Sequence, residues 1–501
     1  MAHATPAFDR LVEDEMKHWK VPGLAIAVVH KNEIFAKGYG VAKLSGEKVT
    51  PKTLFDCASM SKSFTSAALA LLIDNKEQFP DLKWNTPVSK LMPEEFVLAD
   101  PLYTEQVTIE DILCHRTGLP GHESSYLSSK SANPDTAETI TRNLRNLPLN
   151  RPLRTEFQYN NIMFTAASYL AESLSGQSFK DIMHSRFWGP MQMSNTYYDI
   201  EDIEAHNATD RLSNAHYWDK ETEMFLEIPQ RSQPEGQGAG CIFSCAEDWV
   251  KWVQVMINRD GPLSKDAHKE LVKPRMVEND DMEDFPMYST VLYAFGWDVQ
   301  YYRGHSIIGH NGGVPGFASM MKYLPDQQWG LVILTNSSWA SEIVEVLLGH
   351  LMDELLNVAA DDRTDWASHW RHRWDVDEEA RAKRQAYPHP YLERPDPPQK
   401  LEVSLEDIAG TYRNAGYQNF VLTVEGNKLF ADMTDRCYPF NMILEHFSGN
   451  DLVARIQAQP EGFESKLKAR LELDPAKKVT RLGIAFEGDM GDDLIWFEKI
   501  S

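Results

Sequence analysis

The chain has 501 residues, of which 42% are hydrophobic and 25% charged, the balance of a soluble globular protein and not of a disordered one. Its formal net charge of −24 opposes phosphate backbones and anionic lipid, and no basic patch offsets it, so neither nucleic acid nor a membrane surface is an expected partner. At roughly 150 residues per domain, the length implies two or three domains.

The N-terminal Met-Ala-His-Ala-Thr-Pro has no basic flank leading into an apolar core, and no apolar run reaches the ~18 residues of a membrane span. Five scattered cysteines fit reduced thiols better than a disulfide framework, and the Cys241 to Cys245 spacing has no second pair to complete a zinc site. The expectation is a cytoplasmic protein with no metal or other cofactor.

In chain order, Pro6 opens a helix that Val21-Pro22-Gly23 stops, and Leu24 to Val29 pairs with Glu33 to Gly38 as a hairpin across Lys31-Asn32. From Ser59 to Asn75 the spacing of Phe64, Ala67, Ala68, Leu71 and Leu72 predicts a helix buried on several sides. A short helix over Ile109 to Cys114 ends at His115-Arg116-Thr117-Gly118, a turn that His115 is expected to serve. Tyr159-Asn160-Asn161 precedes a helix over Ile162 to Ser175, and Ser244 with Glu247 has the spacing of a capping box for a helix over Ala246 to Met256. Strands over Gly296 to Tyr302 and Ser306 to Ile308 lead to His310-Asn311-Gly312-Gly313, whose glycines let an edge strand approach a ligand closely. A hairpin over Ala318 to Leu324 and Gly330 to Thr335, then a helix over Ile343 to Leu356, close this α/β (α+β) region, residues 1–357.

Residues 358–400 change in composition. They are charged, carry Trp366, Trp370 and Trp374 at helical spacing, and end in a proline-rich stretch over 387–399. A linker helix whose tryptophans dock on a domain surface is expected, with one of them bordering a substrate cleft as the alternative. Over residues 401–501 the period becomes two, as in Leu467, Ala469, Leu471 and Leu473, which predicts a small antiparallel β-barrel or sandwich.

Chemistry is concentrated at Ser59 and Lys62. On a helix, residues three apart share a face, and an amine held beside a hydroxyl in a partly desolvated site can act as its base. Ser-x-x-Lys occurs four times, at Ser45, Ser59, Ser319 and Ser465. Ser45 falls in a loop, and Ser319 and Ser465 fall on strands, where residues three apart face opposite sides. Such a pair also needs a second proton carrier and a hydrogen-bonding group for the substrate, and Tyr159 and Asn161 are candidates. Tyr-x-Asn is weak alone, because Tyr412-Arg413-Asn414 and Tyr417-Gln418-Asn419 repeat it.

Taken in order, Ser59-Met60-Ser61-Lys62, Tyr159-Asn160-Asn161 and His310-Asn311-Gly312 resemble the serine β-lactamase and penicillin-binding-protein superfamily, on its class C and esterase branch. The resemblance covers roughly residues 7 to 357, with His115 to Leu119 and Gly240 to Ser244 in support, and implies an antiparallel sheet flanked by helices with an all-helical subdomain. The last hundred residues look like the lipocalin-like β-domain of some members. The resemblance implies Ser59 as acylated nucleophile, Lys62 as base or proton store, Tyr159 as the carrier that serves the leaving group, and Asn161 as a substrate ligand. It also implies His310, Gly312 and Gly313 at the substrate, with the N–H groups of Ser59 and Gly313 as the oxyanion hole, each donor contributing on the order of 3 kcal/mol. Histidine at 310, where many members have lysine, removes a permanent cation for a substrate carboxylate. The implied activity is a serine acyl hydrolase, a carboxylesterase or transesterase acting on a small ester or amide. A D-aminopeptidase or amidase, a β-lactamase and a non-catalytic scaffold are the alternatives, and no second glutamate for deacylation is recognisable.

Overall fold

The computed structural model describes residues 5–279, 285, 287–338, 340–386, 391 and 395–501. Of the proline-rich stretch expected over 387–399, residues 387–390 and 392–394 lie outside the described residues. Helix α1 (Pro6–His18) is capped by Thr5, whose hydroxyl accepts from Phe8 N at 3.2 Å, with Pro6 in the first turn where its missing N–H costs nothing.

One antiparallel sheet organises the larger part of the chain. Its strands are β1 (Gly23–His30), β2 (Glu33–Gly40), β3 (Met276–Asn279), β4 (Val291–Tyr293), β5 (Asp298–Tyr302), β6 (His305–Val314), β7 (Phe317–Leu324) and β8 (Trp329–Thr335), in the order β2-β1-β8-β7-β6-β5-β4-β3. Lys31 and Asn32 both have positive φ, as the expected two-residue hairpin requires. Parity along β1 divides the core. Leu24, Ile26 and Val28 pack with α1, while Ala25, Ala27 and Val29 face the opposite cluster. Both faces are covered, so the strand is apolar without alternation.

On that opposite face lie α2 (Lys62–Asp74), α3 (Asn161–Ser175) and α4 (Ala246–Asn258), with Phe64 stacked on Trp252 at 4.6 Å between ring centroids. Here the capping expectation fails. Phe55 pairs with Ser244 in a two-strand ladder, which turns the Ser244 hydroxyl toward Thr196 Oγ1 at 2.7 Å, and the cap position is Cys245, with no side-chain cap bond.

Helix α5 (Ser341–Leu355) closes the α1 face, and α6 (Trp366–Ala386) lies over it. Gly349 leaves room for the Trp366 ring, which a Cβ there would meet at 2.5 Å, and Trp366 Nε1 donates to Asp353 Oδ2 at 2.9 Å. Trp370 packs on Phe285 and Trp374 on Trp19, so the tryptophans dock on this outer layer and none borders the cleft at Ser59. Strands β9 (Gly410–Asn414), β10 (Gln418–Glu425), β11 (Lys428–Met433), β12 (Phe440–Ser448), β13 (Asp451–Ala458), β14 (Glu464–Leu473), β15 (Val479–Ile484) and β16 (Ile495–Lys499) form a closed antiparallel barrel. Closure removes the free edges an isolated small sheet would expose.

The barrel is bonded to the rest of the chain. Asp435 O accepts from Ser128 N at 2.8 Å and Cys437 N donates to Tyr126 O at 3.1 Å. His122 N donates to Glu487 Oε2 at 2.9 Å, and the His122 Nδ1 and Tyr417 hydroxyl are 2.6 Å apart.

Candidate active site

Ser59 lies not in the first turn of α2 but in a 3-10 turn, Ala58–Ser61, immediately before it. In a 3-10 turn residues three apart eclipse, which sets Ser59 over Lys62. Ala58 has φ +47°, a conformation costing roughly 1–2 kcal/mol for a residue with a Cβ, and the buried Asp56 holds it by accepting the Ala58 N–H at 2.8 Å. The turn is braced from β7 by Ser319, whose hydroxyl donates to Cys57 O at 2.9 Å. Ser319 and Lys322 sit on β7, Ser465 and Lys468 on β14, and Ser45 in an exposed turn, so the other three serine–lysine pairs do not assemble.

Lys62 Nζ is buried and lies 2.9 Å from Ser59 Oγ, 2.7 Å from Asn161 Oδ1 and 2.8 Å from Ala239 O. Burial lowers its pKa to about 7. The Asn161 and Ala239 oxygens only accept. A neutral Lys62 therefore gives them its two hydrogens and directs its lone pair at the Ser59 hydroxyl. Tyr159 OH is 2.8 Å from the same Ser59 Oγ, and burial pushes its pKa up, so it is a phenol that donates.

Asn161 opens α3, which Asn160 caps by accepting from Met163 N at 2.9 Å. Its Nδ2 donates in a short hydrogen bond to Glu123, which is what aims Oδ1 at Lys62. Burial raises the Glu123 pKa, and it is a carboxylate beside the site that no local motif announced. Only the fold brings the loop after His115 against α3.

A chain of side chains runs behind Tyr159. Asn160 N donates to His115 Nδ1 at 2.9 Å, so His115 carries its proton on Nε2, which is 3.2 Å from Tyr293 OH. The Tyr293 hydroxyl in turn donates to His310 Nε2 at 3.0 Å, and His310 Nδ1–H donates to Asn311 O at 2.5 Å. Backbone groups at the two ends thus fix both tautomers. Burial lowers the His310 pKa to about 4 and that of His115 well below the usual imidazole value. His310 is accordingly a neutral wall with both nitrogens engaged, its ring 6.4 Å from that of Tyr159.

The glycines after it differ in use. A Cβ on Gly312 would lie 2.3 Å from Ser319 Oγ and 2.5 Å from Cys57 O, so this glycine lets β6 press against the turn that carries Ser59. Gly313 meets nothing within 4 Å and lines the small cavity at Ser59 with Asn161. Strand β5 pairs with β6 only up to Gly309, so β6 is interior in its first half and a free edge from His310 to Val314. That cavity also receives Cys437 and Tyr438 from the barrel, which the alternation of residues 401–501 gave no reason to expect. Among the described residues no cluster of three or more His, Cys, Asp or Glu is arranged to hold a metal, and no helix is long and apolar enough to cross a membrane.

Comparison with known proteins identifies the family. Residues 8–343 match the family model described as Beta-lactamase, and residues 394–499 match one described as a domain of unknown function (DUF3471). The chain is 32% identical to an unguisins hydrolase of Aspergillus campestris over 98% of its own length and 91% of the relative's. It is similar in fold to the octameric penicillin-binding protein homologue of Pyrococcus abyssi (TM-score 0.61, 19% identity, covering 98% of this chain and 99% of that one). It is also similar to the D-amino acid amidase of Ochrobactrum anthropi (TM-score 0.56, 21% identity, covering 70% and 97%). With the turn at Ser59, Lys62 and the sheet all inside the matched residues, the chain belongs to the beta-lactamase family and carries its serine hydrolase fold.

Proposed function

We propose that the protein is a serine acyl hydrolase, a carboxylesterase or transesterase, that cleaves a small ester or amide through an acyl-enzyme on Ser59. The observation that carries this reading is Lys62 Nζ, buried 2.9 Å from Ser59 Oγ with its two other neighbours, Asn161 Oδ1 and Ala239 O, both acceptors. Lys62 takes the Ser59 proton as Oγ attacks the carbonyl carbon, and the N–H groups of Ser59 and Gly313 receive the oxyanion. Tyr159 gives its proton to the leaving group, and the resulting phenolate is offset by the Lys62 ammonium, 4.9 Å from the ring centroid. In deacylation the phenolate takes a proton from water, or from an acceptor alcohol, and Lys62 returns its proton to the departing Ser59 oxygen. Every group ends as it began.

A neutral His310 without a free nitrogen supports esters and amides that lack an anchoring carboxylate over β-lactams. We divide the chain into a hydrolase domain over 1–357, a linker over 358–400 and a lipocalin-like barrel over 401–501. We place it in the cytoplasm, a reading its five free thiols support. A fluorophosphonate adduct located on Ser59 by mass spectrometry, with loss of aryl-ester turnover in Ser59→Ala, is the expected result. Full turnover in Ser59→Ala would overturn it, and faster cleavage of D-alanyl anilides than of aryl esters would favour the amidase reading.

A further inference from the structure

We infer that the cleft continues on the acyl side of Ser59 into a side-chain pocket closed by the C-terminal barrel, and that the preferred acyl group carries a bulky apolar, typically aromatic, substituent. This deepens the acyl-enzyme reading above and rests on it.

Strand β6 serves as a ruler, at about 3.3 Å per residue. His310 stands beside Tyr159, the group that protonates the leaving group, and Gly313 stands at Ser59. Val314 and Pro315, further along in the same direction, line a second cavity of about 290 Å³. The leaving group must lie toward Tyr159, so a cavity beyond Gly313 on the opposite side takes the acyl part.

The two cavities are adjacent, since Gln233, Val314, Cys437 and Tyr438 line both. Phe243, Val314, Pro315 and Phe317 supply apolar walls from the hydrolase part, and Tyr438 and Pro439 close the space from the barrel. Its volume suits a benzyl-sized group rather than an acetyl methyl. Of the charged lining residues, Asp56 accepts from Ala58, Arg231 donates to the carbonyl of Cys437 and lies 3.7 Å from Glu235 while its buried Nη1 has no partner, and Lys130 is exposed.

The barrel wall is fixed in place. The segment between β11 and β12 that carries Tyr438 is pinned by the backbone bonds of Asp435 to Ser128 and of Cys437 to Tyr126. Tyr438 itself is 38% exposed, so truncating it opens the pocket without emptying the core.

The test compares p-nitrophenyl phenylacetate, acetate and hemiglutarate on the full chain and on Tyr438→Ala and Tyr438→Phe. The expected result is a preference for phenylacetate over acetate in kcat/KM that falls on the order of tenfold in Tyr438→Ala and is retained in Tyr438→Phe. An unchanged preference in Tyr438→Ala would overturn the inference. So would a hemiglutarate faster than the phenylacetate, or a change confined to leaving-group preference in acetates of different phenols. Calorimetric binding of the same esters to Ser59→Ala, with and without Tyr438→Ala, reads the pocket without turnover. Tighter phenylacetate binding that Tyr438→Ala removes supports the pocket even if the fluorophosphonate fails to label Ser59, a failure that would count against the acyl-enzyme alone. Equal binding of phenylacetate and acetate would dismiss the pocket.

Discussion

Lys62 has three hydrogen-bond directions, and two of them end on oxygens that can only accept. Activity should therefore require its neutral form. Its pKa is lowered to about 7 by burial, so kcat/KM is expected to rise with pH through about 7 and then level. A pH–rate profile checks this, and Lys62→Arg, charged at every accessible pH, should lose two or more orders of magnitude. Behind Tyr159, Tyr293 is the shared link of two histidines. Tyr293→Phe leaves His115 Nε2–H and His310 Nε2 unpartnered in the interior, which should cost roughly 1–3 kcal/mol in denaturant unfolding. It also removes the donor that favours neutral His310, so the protonation midpoint of that ring should move up from about 4, as an NMR titration would read. The types and spacing of Ser59, Lys62, Tyr159 and Asn161 were legible because covalent neighbours and helix geometry carry them. The proton positions were not, because they depend on Ala239, Glu123 and Asn311 across the fold.

At the scale of the element, two adjacent glycines on β6 have opposite surroundings. Gly312→Ala would drive a methyl into Ser319 Oγ and Cys57 O, at a cost of about 1–3 kcal/mol and with displacement of the nucleophile turn. Gly313→Ala meets open space and should stay within about 0.5 kcal/mol of the wild type. Paired thermal denaturation curves separate them. Many of the strands and helices were readable from period and punctuation, from Pro6 at α1 to the hairpin at Lys31-Asn32, whereas the short strands β3 and β4 were not read. Ser244 was misread because a capping box is a local pattern, and the two-residue ladder with Phe55 overrides it. The 3-10 turn at Ser59 escaped for the same reason, its shape being set by Asp56 and Ser319 from outside.

For the whole molecule, the continuity of the interior is decisive. One apolar cluster runs from Phe64 of α2 and Trp252 of α4 into Tyr412, Phe420 and Phe497 of the barrel. A single cooperative transition is therefore expected in scanning calorimetry, and two resolved peaks would show that the parts unfold separately. The interface also holds a bonded set of buried polar groups, His122 with Tyr417 and Glu487, which favours one docked arrangement over a sliding one.

Hydrophobic periodicity, turn residues and the ordered motifs of this sequence determined the family, most of the sheet with its helices and the terminal barrel, and they singled out Ser59 as the candidate nucleophile. All of these depend on residues near one another in the chain or on a pattern repeated along one element. Tertiary structure alone decided that Glu123 orients Asn161, that both nitrogens of His310 are engaged, and that Tyr438 of the barrel lines the same cavity as Ser59. Burial and hydrogen-bond direction are properties of surroundings assembled from distant segments, and no window of sequence contains them.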